Sequence, residues 1–335
     1  MSEASTPALP HEHRAWCWHG GHDTHALQLQ SLPLPQPGVG QVLVRNRVVG
    51  LNPVDWKVLG GMGDAWAPGH VPGVDGAGEI VALGQEVPAT WQGSHVAYHQ
   101  DLRRDGSFAE YTVVDARALM RIPHAMSFAT AAAVPCPALT AWMALQKLPP
   151  AAGRTLLISG AGGSVGHTLV QLARQYGWHV VAMAHRRHWS RLHGLGAEKC
   201  LDGPMPEEQG VWLEELQFTA IIDCVGADQA TRLASSLQAN GHMVCIQGRL
   251  EHWPCTPFGR ALSLHEVALG ALHRYGNPTD WQALTGAGEQ MLQDIATARL
   301  QAEPHVLHEF DQLSTALGEL KSRNFSGKSL VRVHP

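Results

Sequence analysis

Residues Thr155 to Gly166, TLLISGAGGSVG, constrain this chain more than any other stretch. Leu156, Leu157 and Ile158 read as a buried strand, a glycine turn follows, and His167 to Tyr176 carries an amphipathic helical pattern. Gly160, Gly163 and Gly166 fall at the glycine positions of a dinucleotide fingerprint. One glycine permits the tight turn, one lets the backbone approach a pyrophosphate, and one lets the helix pack closely on the strand. Ser164 and Val165 then occupy the opening of the helix, where unpaired N–H groups and the positive end of the dipole favour phosphate oxygens. The strand before and the helix after set this stretch apart from an ordinary glycine turn.

Beyond Gly166 the text alternates. Strand His179 to Ala184, helix His188 to Leu195, a short strand near Cys200, strand Ala220 to Cys224, helix Ala227 to Leu237 and strand His242 to Gln247 follow in turn. Such alternation predicts a parallel, doubly wound sheet with its ligand at the carboxyl ends of the strands. Upstream the chain is mostly β: Ala15 to Leu29, Gln41 to Leu51, Val71 to Gly84, GSHVAYH and GSFAEYTVV carry alternating apolar residues or close-crossing glycines. Asn52 to Gly61, NPVDWKVLGG, breaks at Pro53 into a short helical turn, and Ser127 to Leu145 is helical apart from a break at Pro135 to Pro137. The closing GKSLVRV returns to strand. We therefore expect a tail over residues 1–13, a β-rich domain over 14–128, a nucleotide-binding domain over 129–265 and a return to the first domain over 266–335.

Composition bounds the function. A chain of 335 residues accommodates two domains, and a net charge of −5 without a basic block argues against a nucleic-acid surface. No apolar run reaches membrane-spanning length and the start lacks a signal-peptide core, so a cytoplasmic location is expected. Six cysteines without a CxxC pair fit reduced thiols in the core, and the 21 histidines spread over the chain without metal-ligand spacing.

VVGLNPVDWKVLGG, VPGVDGAGEIVALG, GSFAEYTVV, ALTAWMAL, SGAGGSVGHTLVQLAR, LGAEKCLD, IIDCVG and GKSLVRV occur here in one order. In that order they resemble the medium-chain dehydrogenase/reductase superfamily in its zinc-independent quinone oxidoreductase branch. The resemblance covers nearly the whole chain after the first dozen residues. It implies an α/β protein with a GroES-like β-rich catalytic domain, a Rossmann domain and an active site in the cleft between them, often as a homodimer; the run Ala261 to His273, apolar on more than one face, is the segment expected to serve the dimer or to pack as a helix within its own subunit.

The zinc alcohol dehydrogenases of the same superfamily place a cysteine near the position of Asn52 and Gly-His-Glu where Gly73, Val74 and Asp75 stand here. Their structural zinc needs a four-cysteine lobe, whereas only QDLRRDG separates GSHVAYH from GSFAEY. Valine cannot ligate zinc, so no metal site is expected.

The cofactor is argued from the end of the second Rossmann strand. NAD binders carry an acidic residue roughly 20 residues past the glycines. Here Ala184 and His185 lead into Arg186, Arg187 and His188, cations suited to a 2′-phosphate, and NADPH is expected. By resemblance, Thr140 contacts the nicotinamide and Asn52 holds the nicotinamide ribose or the substrate, while Val225, Gly226, Gln247 and Gly248 close later strands at the cofactor cleft. Catalysis is less legible: Asn52, Asp55 and Lys57 are candidates to polarise or protonate, and Trp56, Trp66, Tyr98, His99 and Phe258 are candidates to line a flat substrate pocket. The function so implied is hydride transfer from NADPH to a quinone or an α,β-unsaturated carbonyl. A nucleotide-binding redox sensor or structural protein with little turnover is the alternative, and a zinc alcohol dehydrogenase the third choice.

Overall fold

The computed structural model describes residues 9–60, 62, 65–150, 152–206, 216–322 and 326–334. The chain divides into two compact units, Met1–Pro135 with Pro304–Pro335, and Cys136–Glu303.

The first unit begins with β1 (Glu12–Cys17) and β2 (Gln28–Pro33), an antiparallel pair, followed by β3 (Gln41–Gly50), α1 (Pro53–Lys57), β4 (Asp75–Leu83), β5 (His95–His99), β6 (Tyr111–Asp115), β7 (Leu119–Arg121) and α2 (Phe128–Ala132). Pro53 fits the first helical position of α1, where no backbone N–H is needed, and the Asp55 carboxylate accepts the Asn52 N–H to close the turn. Residues 1–8 of the expected tail lie outside the described residues. The tail is shorter than expected in any case, because β1 starts at Glu12 and His13 is buried.

The second unit comprises α3 (Pro135–Gln146), β8 (Thr155–Ser159), α4 (Ser164–Gln175), β9 (His179–Met183), α5 (Trp189–Leu195), β10 (Lys199–Leu201), β11 (Phe218–Asp223), α6 (Ala227–Leu233), β12 (Leu237–Cys245), β13 (Ser263–Glu266), α7 (Ala271–Tyr275) and α8 (Pro278–Ala296). Its strands run parallel in the order β10-β9-β8-β11-β12-β13. Both faces of this sheet are covered, which is why TLLIS, HVVAM and FTAIID read as apolar runs instead of alternating. The order reverses between β8 and β11, the topological switch point where such sheets take their ligands.

Four expectations shift here. Pro135 opens α3 instead of breaking it, the interruption falling at Ala133 and Val134. The expected helix 227–237 ends at Leu233, and Leu237 already belongs to β12. The run 261–273 is not one helix: it contains β13, paired on β12, and the start of α7. The second unit also runs past residue 265, to Glu303. Its last segment is tied to α4, Gln171 Oε1 accepting the Gln301 N–H at 2.7 Å and Gln175 Nε2 donating to the Arg299 carbonyl at 3.3 Å.

The chain then returns to the first unit through β14 (His305–Glu309), α9 (Leu313–Ser322) and β15 (Lys328–Arg332). These complete a seven-stranded sheet, β14-β15-β3-β4-β5-β7 with β6 also on β3. Register matters: Leu330 lies opposite Gly50, Gly50 opposite Asp75, and Asp75 opposite His99. Strand ends far apart in sequence therefore converge.

Candidate functional site

In the second unit the glycine turn sits at the carboxyl end of β8. Gly160 takes a φ of +73°, a conformation that favours glycine, and an added Cβ would stand 3.0 Å from Val225 and 3.2 Å from Cys224. Gly166 is packed harder: a Cβ there would fall 2.4 Å from the Ala161 backbone, so this glycine is what lets α4 close on the turn. Gly163 differs, because a Cβ would meet nothing nearer than the Gly160 carbonyl at 3.8 Å. The first backbone bond of α4 runs from His167 N–H to the Gly163 carbonyl, which leaves the N–H groups of Ser164, Val165 and Gly166 ahead of the helical ladder.

Two other strand ends continue this cradle. Asp223, the last residue of β11, accepts the N–H groups of Val225 at 3.1 Å and Gly226 at 2.8 Å and so folds the turn after β11; its burial raises its pKa. At Gly226 a Cβ would meet only the Gln247 carbonyl at 3.7 Å, and at Gly248 only Ala227 at 3.9 Å. Gly160, Gly163, Ser164, Val165, Gly166, Val225, Gly226, Gln247 and Gly248 are thus brought to one edge of the parallel sheet. At Gly163, Gly226 and Gly248 no side chain occupies that edge, the bare backbone that approach of a pyrophosphate requires. Thr140 is buried in α3.

Behind the turn lies a group that the sequence did not announce. Arg191 on α5 donates from Nη2 to the Gly162 carbonyl at 2.7 Å and from Nη1 to His167 Nδ1 at 3.0 Å. His167 Nε2 faces the Gln301 carbonyl at 2.8 Å, and burial, reinforced by Arg191, drives its pKa down to about 4, so it is neutral. Ser164 Oγ donates to Glu303 Oε1 at 2.9 Å. The turn is braced from its own α4 and α5 side.

At the end of β9, His185 Nδ1 accepts the Arg187 N–H at 3.2 Å, and Arg187 Nε donates to His188 Nε2 at 3.1 Å. Arg186 is held by Asp202 at 2.9 Å. The absence of a carboxylate along 184–188 does not therefore mean that none is near; β10 delivers one from 16 positions downstream.

In the first unit the converging strand ends build a buried ionic cluster. Asn52 Nδ2 donates to Asp75 Oδ2 at 2.8 Å, Lys328 Nζ donates to Asn52 Oδ1 at 2.5 Å, and the Lys328 ammonium lies 3.6 Å from Asp75 Oδ2. Asp55 accepts the N–H groups of Asn52 at 2.7 Å and Val74 at 3.2 Å. Its complete burial pushes its pKa up to about 8, with Asp75 acting in the same direction and the two backbone donors against it. Such a raised pKa contributes stability that is fully present below about pH 4 and is lost as pH rises through about 8. The stability gap between the wild type and Asp55→Asn is therefore expected to shrink by a few kcal/mol from pH 4 to pH 8, on the order given by 1.36 kcal/mol per pKa unit. Urea titrations across that range check this, and a constant gap would show that Asp55 stays ionised.

Several pocket candidates are placed elsewhere. Trp66 is a core residue, stacked on His70 with centroids 4.3 Å apart and donating from Nε1 to the Leu102 carbonyl at 2.6 Å. Tyr98 is fully buried and its hydroxyl donates to Asn46 Oδ1 at 2.7 Å. His99, by contrast, is buried at the end of β5 opposite Asp75 of the ionic cluster, and Phe258 is fully exposed on the segment after β12. Trp56 packs against the core of the first unit with the ammonium groups of Lys57 and Lys321 each 5.6 Å from its ring centroid. Alternation and aromatic character alone do not separate a pocket wall from a core. Asp75 and Lys328 were missed as a pair because only strand register brings residues 253 positions apart together (328 − 75).

Among the described residues no group of three or more His, Cys, Asp or Glu is placed to hold a metal ion, and no helix is long and apolar enough to cross a membrane.

Comparison with known proteins agrees with this geometry. The family model of the alcohol dehydrogenase GroES-like domain matches residues 38–124. The chain is 30% identical over 240 residues to the chloroplastic quinone-oxidoreductase QR1 of Triphysaria versicolor, covering 68% of this chain and 72% of that protein. It is 31% identical over 261 residues to the 2-methylene-furan-3-one reductase of Solanum lycopersicum, covering 74% and 66%. An alcohol dehydrogenase superfamily protein from Novosphingobium aromaticivorans superposes with a TM-score of 0.84 at 26% identity, over 96% of this chain and all of that one. With a GroES-like unit, a parallel Rossmann unit and these relatives, the chain belongs to the medium-chain dehydrogenase/reductase superfamily, in its quinone oxidoreductase-like branch, a family of oxidoreductases that work with a nicotinamide cofactor.

Proposed function

We propose that this protein is an NADPH-dependent oxidoreductase that transfers hydride to a quinone or an α,β-unsaturated carbonyl without zinc. The observation that carries the reading is the glycine-lined cradle at the ends of β8, β11 and β12, flanked at the end of β9 by Arg186 and Arg187. The N–H groups of Ser164, Val165 and Gly166 would hold the pyrophosphate, and the arginines the 2′-phosphate. When bound, the dihydronicotinamide supplies the hydride, so the protein's share is to bind, orient and keep water away.

The zinc-free reading is supported by the buried cluster. Asn52 and Asp75, which stand where zinc-dependent relatives carry Cys and Glu, bond to each other, and the cation between them is the Lys328 ammonium. An acceptor that ends the reaction as an enolate or hydroquinone anion needs a proton, which solvent can deliver. The reading extends to a homodimer: β13 is the last strand of its sheet, an edge on which a second copy can pair. NADPH oxidation against a panel of quinones and enones, with and without chelator, tests the reading. Turnover that survives chelation is expected. Tight NADPH binding with no acceptor oxidising it would instead support a nucleotide sensor, and stoichiometric zinc in the purified protein would overturn the zinc-free chemistry.

A further inference from the structure

The Arg186 guanidinium is held from two sides. Its Nε–H donates to Asp202 Oδ2 at 2.9 Å, and its central carbon lies 5.5 Å from the ring centroid of Trp189. Trp189 is itself fixed, its Nε1–H donating to the Ala184 carbonyl at 2.9 Å. Asp202 is fixed through the sheet, because it follows β10 and the Ala184 N–H donates to the Leu201 carbonyl at 3.0 Å. The ends of β9 and β10 are thereby laced together. A carboxylate from the third strand stands where the second strand has none.

We propose that Asp202 is a cofactor-discriminating residue that restrains the preference of this site for a 2′-phosphorylated nucleotide by opposing the phosphate beside Arg186. The proposal rests on the NADPH reading above.

Asp202 has two opposite effects on the site, and their sizes decide the sign. Orientation of Arg186 is the favourable one. The ion pair is exposed, the side chains keeping 73% and 54% of their surface, and exposed pairs of this kind contribute little. Trp189 would go on holding the guanidinium in its absence. Repulsion is the unfavourable one. A phosphate on the remaining N–H donors of Arg186 carries close to two negative charges and would share that guanidinium with the carboxylate. Exposure weakens this repulsion too, but two anions on one guanidinium stand well inside the Debye length, the phosphate carries about twice the carboxylate's charge, and Trp189 holds Arg186 in either case. Repulsion therefore exceeds orientation, whereas NADH, with ribose hydroxyls at this position, meets no such opposition.

Fluorescence titration of NADPH and NADH onto the wild type, Asp202→Asn and the double variant Arg186→Ala/Arg187→Ala tests this. Asp202→Asn is expected to tighten NADPH roughly tenfold with NADH changed by less than about twofold, and the gain should fall as salt is raised. An unchanged NADPH to NADH ratio in Asp202→Asn, or weaker NADPH binding, would overturn the proposal. If that happens while the double arginine variant loses NADPH selectively, only the role of Asp202 fails. If the double variant weakens both nucleotides equally, or the wild type binds neither, the phosphate reading fails and this proposal with it.

Discussion

Replacing Gly163 with valine is expected to abolish nucleotide binding while leaving the fold intact. A Cβ at Gly163 meets nothing closer than 3.8 Å, so the side chain enters open space and not its neighbours. That space adjoins the first turn of α4, where the N–H groups of Ser164, Val165 and Gly166 lie ahead of the helical ladder. A valine there keeps phosphate oxygens from the helix end, and a weakening of at least about a hundredfold, or roughly 2.7 kcal/mol, is expected. Gly166→Val, three residues on, should do the reverse. Its Cβ would lie 2.4 Å from the Ala161 backbone, an overlap that no rotamer relieves, and a loss of ~3 kcal/mol or more is expected. Thermal melts and NADPH titrations on both variants separate the two outcomes. Retained affinity in Gly163→Val would reduce the fingerprint to a turn, and wild-type melting of Gly166→Val would contradict the close helix packing.

The second large effect is expected at Lys328. Lys328→Met removes the cation from a cluster in which Asp75 and Asn52 are both buried, taking the ammonium away from the Asp75 carboxylate and from Asn52 Oδ1. Breaking a buried pair by deleting one partner costs ~3–5 kcal/mol, whereas removing the charge of both is far milder. Lys328→Met in an Asp75→Asn background should accordingly lose much less than the two single changes summed. Urea denaturation of the four proteins measures the coupling. Additive losses would mean that the ammonium and the carboxylate do not stabilise each other.

Fold class was legible because the evidence for it is local. TLLISGAGGSVG contains its strand, turn and helix within one short stretch, and the alternation after it dictates a parallel sheet. Domain limits were harder. Nothing local in 266–303 shows that Gln301 reaches back to Gln171, so that segment was read with the wrong unit. The gathering of glycines at one edge of the parallel sheet was legible for a similar reason to the fold: glycines near strand ends are visible one by one. The environment of Arg186 was not, because Asp202 arrives through the pairing of β10 with β9. Trp66 and Tyr98 prove to be interior residues, and the physical reason is a different one. Trp66 and Tyr98 each have a polar atom that finds a partner in the interior, so polarity gave no sign of exposure.

The place of β15 has a consequence for how the molecule is made. β15 lies between β14 and β3 and carries Lys328 to Asn52 and Asp75, yet it is made only after the whole of the second unit. The second unit, continuous in sequence, can complete its sheet as it emerges, since domains fold as units during synthesis. The first unit must wait. Until Lys328–Arg332 has followed the second unit out of the ribosome, β3 lacks its neighbour along Val48 to Gly50, and Asn52 and Asp75 lack their cation. Of the two units, the one that begins first is therefore the one completed last.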